Sequence, residues 1–301
     1  MEKRILAIYY TQTGQQEAIM EKLLAPLKVP GVNLETVRFE MKDRFTFPWS
    51  SERFFEAMPE SVLATPAEIE PLGLKERRYD LVIIGYQPWF LSPSIPANSL
   101  LKDPAFREII RDTPVITVIG ARNMWLNAQE KMKALIATAG GRLVGNIAEV
   151  DHHANPVSAV TILYWMFSGR KDRMWGIFPV PGVAQEEIDK GRVYGSLILD
   201  AVQNGSFEGL QAALAGAGAV IPKTSLMFVE HRAGKIFPIW ANLVVRKKNR
   251  KAWLVVFKYY LIFALFILAP ILLTVYLIFF RPFLGASIAR RKAYFAGVKQ
   301  N

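Results

Sequence analysis

The chain has 301 residues, of which 51% are hydrophobic, with no cysteine and a formal net charge of +11. Lacking cysteine, it has neither disulfides nor thiolate metal sites, and packing alone must hold it together. The whole basic excess lies in residues 246–301, which carry eleven Lys and Arg and no Asp or Glu. The remainder is balanced, so the high pI gives no case for nucleic acid as a partner.

The first apolar run, Ile5–Tyr10, predicts a buried strand. It leads into Thr11-Gln12-Thr13-Gly14-Gln15-Gln16, where a helix should begin. Free backbone N–H groups at a helix start, together with threonine hydroxyls, can hold a phosphate without a lysine. The same letters also read as a plain capping box, Thr13-x-x-Gln16. Met20, Leu23, Leu24 and Leu27 then recur at helical spacing, stopping near Pro26. A second strand is predicted over Leu34–Phe39, followed by a long aromatic-rich connection, 41–66.

The third strand, Leu81–Gly85, delivers the loop "GYQPWFLSPSIP". In it Gln87, Pro88, Trp89 and Phe90 form a rigid aromatic plate suited to a planar ring, or else an aromatic pair anchoring a surface. Strand four, Val115–Gly120, opens into Gly120, Ala121, Arg122, Asn123, Met124 and Trp125, offering backbone N–H groups and a cation at the same edge. Asn127-x-x-Glu130 reads as a helix cap ahead of Ala128, Met132, Leu135 and Ile136. Strand five, Leu143–Val150, runs into Asp151-His152-His153. Either histidine suits proton transfer near neutrality. Three adjacent ligands suit one metal ion poorly, so no metal site is expected.

Residues 151–184 insert an apolar helix-length run, and a helix over about Gln185–Val202 closes the domain. His231 lies beyond it, in a helical connector (206–245), with a structural or membrane-proximal role expected. Strands alternating with amphipathic helices predict a doubly wound parallel sheet, order 2-1-3-4-5, its ligand crevice at the carboxyl ends of strands 1 and 3. The expected domains are 1–205, a connector 206–252 and a tail 253–301.

Within that tail, residues 259–280 hold 22 uncharged, mostly apolar positions. As a helix they cover about 33 Å, enough for a bilayer core of roughly 30 Å. Basic clusters flank both ends, so charge does not orient the segment. A single span is the first expectation; a re-entrant hairpin turned at Pro270 is the second. With no signal preceding "MEKRILAIYY", residues 1–245 are expected at the cytoplasmic face of the membrane.

Residues 3–203 resemble the flavodoxin-like superfamily. Its phosphate loop reads Thr/Ser-x-Thr-Gly-x-Thr; Thr11, Thr13 and Gly14 match, and Gln16 replaces the last hydroxyl. The resemblance implies FMN, with its phosphate at residues 11–16 and its ring at 87–90 and 120–125. The strings "FPWSSERFFEAMPESVL", "LVIIGYQPWFLSPSIP" and "VITVIGARNMWLNAQEKMKALI" resemble the dialkylresorcinol condensing enzymes, encoded beside a ketosynthase and an acyl carrier protein. That resemblance implies aromatisation of a hydrophobic 2,5-dialkylcyclohexane-1,3-dione to a dialkylresorcinol. His152 or His153 would be the base and Arg122 the enolate partner. The alternatives are a membrane electron carrier, an NAD(P)H:quinone-type flavin reductase, and a flavin-free scaffold.

Overall fold

A computed structural model describes residues 2–299. Counting only the main sheet, its strands are β1 (Lys3–Tyr9), β2 (Val32–Arg38), β3 (Leu81–Tyr86), β4 (Pro114–Ala121) and β5 (Arg142–Val150). All pair in parallel, in the order β2-β1-β3-β4-β5. This is the doubly wound order predicted from the sequence, and the five predicted strands match within two residues at each end. Ile5 stands opposite both Leu34 and Leu81. The central strands are continuous apolar runs because both of their faces are covered: Ile5–Ile8 of β1 and Leu81–Ile84 of β3 are sealed from water.

Helix α1 (Gln15–Leu24) packs against the later closing helix, Gln185–Asn204. Residues 41–66, read as a connection, contain α2 (Ser51–Val62), capped by Ser50, whose Oγ accepts from Arg53 N–H at 3.2 Å. Pro59 within it hid the helical pattern. Then come α3 (Ile95–Lys102), α4 (Pro104–Ile110), α5 (Leu126–Thr138), α6 (Asn155–Ser168), the closing helix α7 and α8 (Leu210–Gly216). The expected connector is largely one helix, α9 (Thr224–Arg246), which packs on α2 and α5.

The apolar tail is a helix over Arg250–Phe283 (α10), with only 6% of its most apolar window buried. It is long and apolar enough to cross a membrane. It lies antiparallel to α9: Phe257 meets Phe237 and Trp240, and Tyr276 stacks on Phe228 with centroids 3.9 Å apart. Its start is fixed to α2, where Arg250 donates to Glu60 and Lys258 to Ser51. Beyond it, α11 (Gly285–Ala296) returns to the domain. There the Gln211 amide donates to Ala296 O at 2.7 Å, and Lys133 donates to Lys299 O at 3.1 Å. A single span would carry the two basic flanks to opposite sides. In the fold both flanks dock on one domain, because the aromatic ladder along α9 keeps α10 against it.

Candidate functional site

The predicted site residues lie where β1, β3, β4 and β5 end. After β1 the chain turns through Gly14, whose φ of 83° is left-handed and whose Cβ position meets no heavy atom within 4 Å. Gly14 N–H donates to Thr11 Oγ1 at 3.1 Å and Gln15 N–H to Thr13 Oγ1 at 3.4 Å. Both hydroxyls therefore sit at the positive start of α1, beside an exposed glycine.

The three glutamines of this loop do not share that orientation. Gln12 donates to Phe45 O and Thr46 O and accepts from the Tyr10 hydroxyl. Gln15 Oε1 accepts from Val183 N–H at 2.8 Å, tying residues 181–183 across the helix start. Gln16 is buried and donates to Val118 O at 3.1 Å. It lies on the sheet side of α1, one turn before Ile19 and Met20, and a Cβ at Gly120 would stand 2.5 Å from its Oε1. These bonds engage the glutamine side chains, so what residues 12, 15 and 16 can offer a phosphate is their backbone. The capping box through Gln16 is not formed: the N-cap is Gly14, without a side-chain cap bond.

The β3 loop is a tight ribbon in which Pro88–Trp89 pairs with Ser92–Pro93. Its turn residues, Phe90 and Leu91, both have positive φ, 49° and 59°, a strain that packing must hold. Trp89 and Phe90 do not form one plate. Phe90 turns toward Phe54 and Phe257, whereas Trp89 meets Tyr10, Phe45 and Trp49 at interplanar angles of 82°, 79° and 89°. Among these contacts no ring lies parallel to the Trp89 indole. The Gln87 amide donates to Tyr10 O at 2.8 Å.

Along the β4 loop, Arg122 is no surface cation. Its Nη1 donates to Asn155 Oδ1 at 2.7 Å and to Asn155 O at 3.1 Å, and Asn123 donates to the same Oδ1. Burial pulls the Arg122 guanidinium down to about 10, against the attraction of Asp151 and Glu230. Met124 packs toward α10 with Phe90, while Trp125 is core. The cap of α5 is not Asn127 but Glu230 of α9, which accepts from Trp125 N–H and Asn127 N–H.

The two histidines part company after β5. His153 Nδ1 lies 2.6 Å from Asp151 Oδ1, and Asp151 is sealed from water. His152 Nε2 faces Glu187 of α7 at 3.6 Å. His231 lines a separate gap with Arg232, Arg291 and the second half of α10; burial is the first cause lowering its pKa.

Sequence reasoning missed Asn155 and Glu230. A signal existed for both: Asn155 precedes Pro156 at a helix start, and Glu230 is a lone acid in an apolar helical stretch. Among the described residues, three buried polar atoms without a partner lie on the loops after β3, β4 and β5: Gln87 Oε1, Asn123 Oδ1 and Asp151 Oδ2; others, on Gln16, Asn98 and Asn146, lie elsewhere. Buried polar atoms normally find partners.

No family model and no curated protein matches the chain. Solved structures do. One is a flavoprotein in complex with FMN from Lactobacillus acidophilus, 16% identical, covering 48% of this chain and 91% of its own, with a TM-score of 0.38. Another is a flavodoxin from the domain Archaea, 8% identical, covering 66% and 99%, with a TM-score of 0.37. A third is a Fusobacterium nucleatum flavodoxin bound to flavin mononucleotide, 14% identical, covering 47% and 68%, with a TM-score of 0.29.

Proposed function

We propose that this chain is a membrane-associated flavoprotein oxidoreductase that binds FMN and aromatises a 2,5-dialkylcyclohexane-1,3-dione to a dialkylresorcinol. The observation that supports it best is the row of unpartnered buried polar atoms at Gln87, Asn123 and Asp151, on the loops following β3, β4 and β5. Gln87 is tied to Tyr10 O just ahead of the anion-ready start of α1, and the Trp89 indole follows it in the same loop. The phosphate would rest on the Thr11 and Thr13 hydroxyls and the backbone at Gly14, and the ring would lie between Trp89 and residues 120–124. FMN, when bound, supplies a two-electron acceptor.

The protein's part is to take the proton and steady the charge. Aromatisation removes one hydrogen as a proton and one with the electron pair. His153 Nδ1 lies 2.6 Å from the Asp151 carboxylate; with Nδ1–H donating to it, Nε2 is left to take the proton. Arg122, held by Asn155, faces the developing enolate. Apolar walls from α2, α6 and α10 keep water from the ring. In this reading a ketosynthase and an acyl carrier protein supply the dione, and residues 1–205 form the flavin domain at the cytoplasmic face. We read α10 as lying in the plane of the interface, its outer face in lipid, since both its ends are docked on that domain.

Purified in mild detergent, the protein should be yellow and release FMN on denaturation. Thr13→Glu should expel the flavin by charge repulsion. A colourless protein would leave only the scaffold. Anaerobic addition of a dialkylcyclohexane-1,3-dione should bleach the flavin. His153→Asn should slow bleaching by about a hundredfold or more, and His152→Asn by far less. Bound flavin that never bleaches would favour the electron carrier.

A further inference from the structure

A cavity of about 330 Å³ begins at Arg122 and Met124 and runs outward to α10. That volume is typical of small-molecule sites, roughly 300–1,000 Å³. Ala159 and Leu163 of α6 form one wall, Ile236 of α9 another, and Leu265 and Leu268 of α10 the third. Three further lining residues of α10, Ile262, Phe266 and Leu272, are 36–42% exposed, and their neighbours Phe263, Ile267 and Ile271, outside the lining, are exposed as well. The cavity therefore reaches the same apolar surface that α10 presents to lipid.

The charges along it have one sign. Arg122 stands at the inner end, with Arg232 and Lys258 along the walls, and no acidic side chain lines the cavity among the described residues. Outside the lining Asn155, Asp151 and Glu230 partly satisfy Arg122, but within the cavity an acidic head would meet only positive side chains, Arg122, Arg232 and Lys258. A neutral alkane would use the walls and waste the arginine; a hydrophilic anion would do the reverse.

We infer that this cavity is an alkyl-chain site for an acidic amphiphile, loaded from the bilayer past α10, with the acidic head at Arg122 and the chain between α6, α9 and α10. The membrane helix is then a wall of the binding site as well as an anchor. The inference rests on the oxidoreductase reading only for the identity of the head, since an enolised 1,3-dione is such an acid.

The probe is a long-chain fatty acid carrying a mid-chain diazirine, photolysed with the full-length protein in phosphatidylcholine vesicles, and compared with the fatty alcohol of the same length. Adducts are expected on Leu163, Ile236 and Leu265, with the acid labelling them about tenfold more than the alcohol. Ala264→Trp and Ala269→Trp place an indole inside the cavity. Each should cut these adducts about tenfold, whereas Ile267→Trp and Ile271→Trp, outside the lining, should not. Adducts confined to Ile267, Ile271 and other lipid-facing positions would overturn the inference, as would equal labelling by acid and alcohol. The wild-type map decides the matter even if a tryptophan variant fails to fold. Flavin content is read on the same samples: colourless protein labelled in the cavity sinks the flavin reading alone, and yellow protein labelled only outside sinks this one.

Discussion

Glu230, in the middle of α9, accepts the backbone N–H of Trp125 at 3.1 Å, at the first turn of α5. A second oxygen takes Asn127 N–H at 3.0 Å. Burial raises this carboxyl to about 7, although the N–H groups it receives pull the other way. The contact fixes the β4 loop, and with it Arg122 and Asn123, from a helix over a hundred residues away. Glu230→Ala strips the cap and leaves buried donors unpaired. It should cost about 2 kcal/mol, seen as a lower Tm and as faster hydrogen exchange at residues 125–128. Unchanged exchange there would mean α5 caps itself.

Gln16 separates the packing role of a loop side chain from ligand binding. Its amide is bonded to Val118 O and fills space beside Gly85 and Gly120. Gln16→Ala should therefore lower stability by about 1–3 kcal/mol while flavin still binds, as measured by denaturant unfolding and by flavin absorbance. Stability retained with flavin lost would return Gln16 to the ligand.

Glu149 near the end of β5 is almost wholly buried, and burial first, then Glu187, raises its pKa to about 8. A carboxyl raised on folding keeps a proton that the unfolded chain has lost. Its contribution to stability therefore falls as pH climbs from about 4.5 through about 8. Glu149→Gln should remove this slope, raising Tm at pH 8 with little change at pH 5. Glu230 leaves a residual decline that ends near pH 7. A variant whose Tm profile parallels the wild type across that range would show that Glu149 titrates normally.

The sheet was legible because strands covered on both faces announce themselves as uninterrupted apolar runs, as at Leu81–Ile84. Gly14 and the two threonines were legible too, since a turn into a helix leaves few residue choices. Side-chain direction was not. Gln12, Gln15 and Gln16 are alike in sequence, yet each is drawn away by a different distant acceptor or donor: Phe45 O, Val183 N–H and Val118 O. Helix α2 was hidden by Pro59, because an internal proline reads locally as a stop; α9 runs on through Pro238 within the connector that was expected to be helical. The partition of His152 from His153 depends on Glu187, which periodicity does not bring near.

The course of α10 yields the sharpest prediction. A helix of 34 residues is about 50 Å long, well beyond the roughly 30 Å of a bilayer core. A span would therefore leave its charged ends in water on opposite sides. Here Arg250 is paired with Glu60 at one end, and beyond the other Tyr294 donates to Glu130 at 2.5 Å. Breaking the second attachment to send α11 across would also expose Lys133, which is buried beneath Tyr294. Because the chain has no cysteine, Lys248→Cys and Arg290→Cys each give one thiol, both at exposed positions flanking the helix. In sealed vesicles of uniform orientation, a membrane-impermeant maleimide should label both from the same side and to the same extent. Labelling of one before permeabilisation and of the other only afterwards would mean that α10 crosses the bilayer and that α11 leaves the domain.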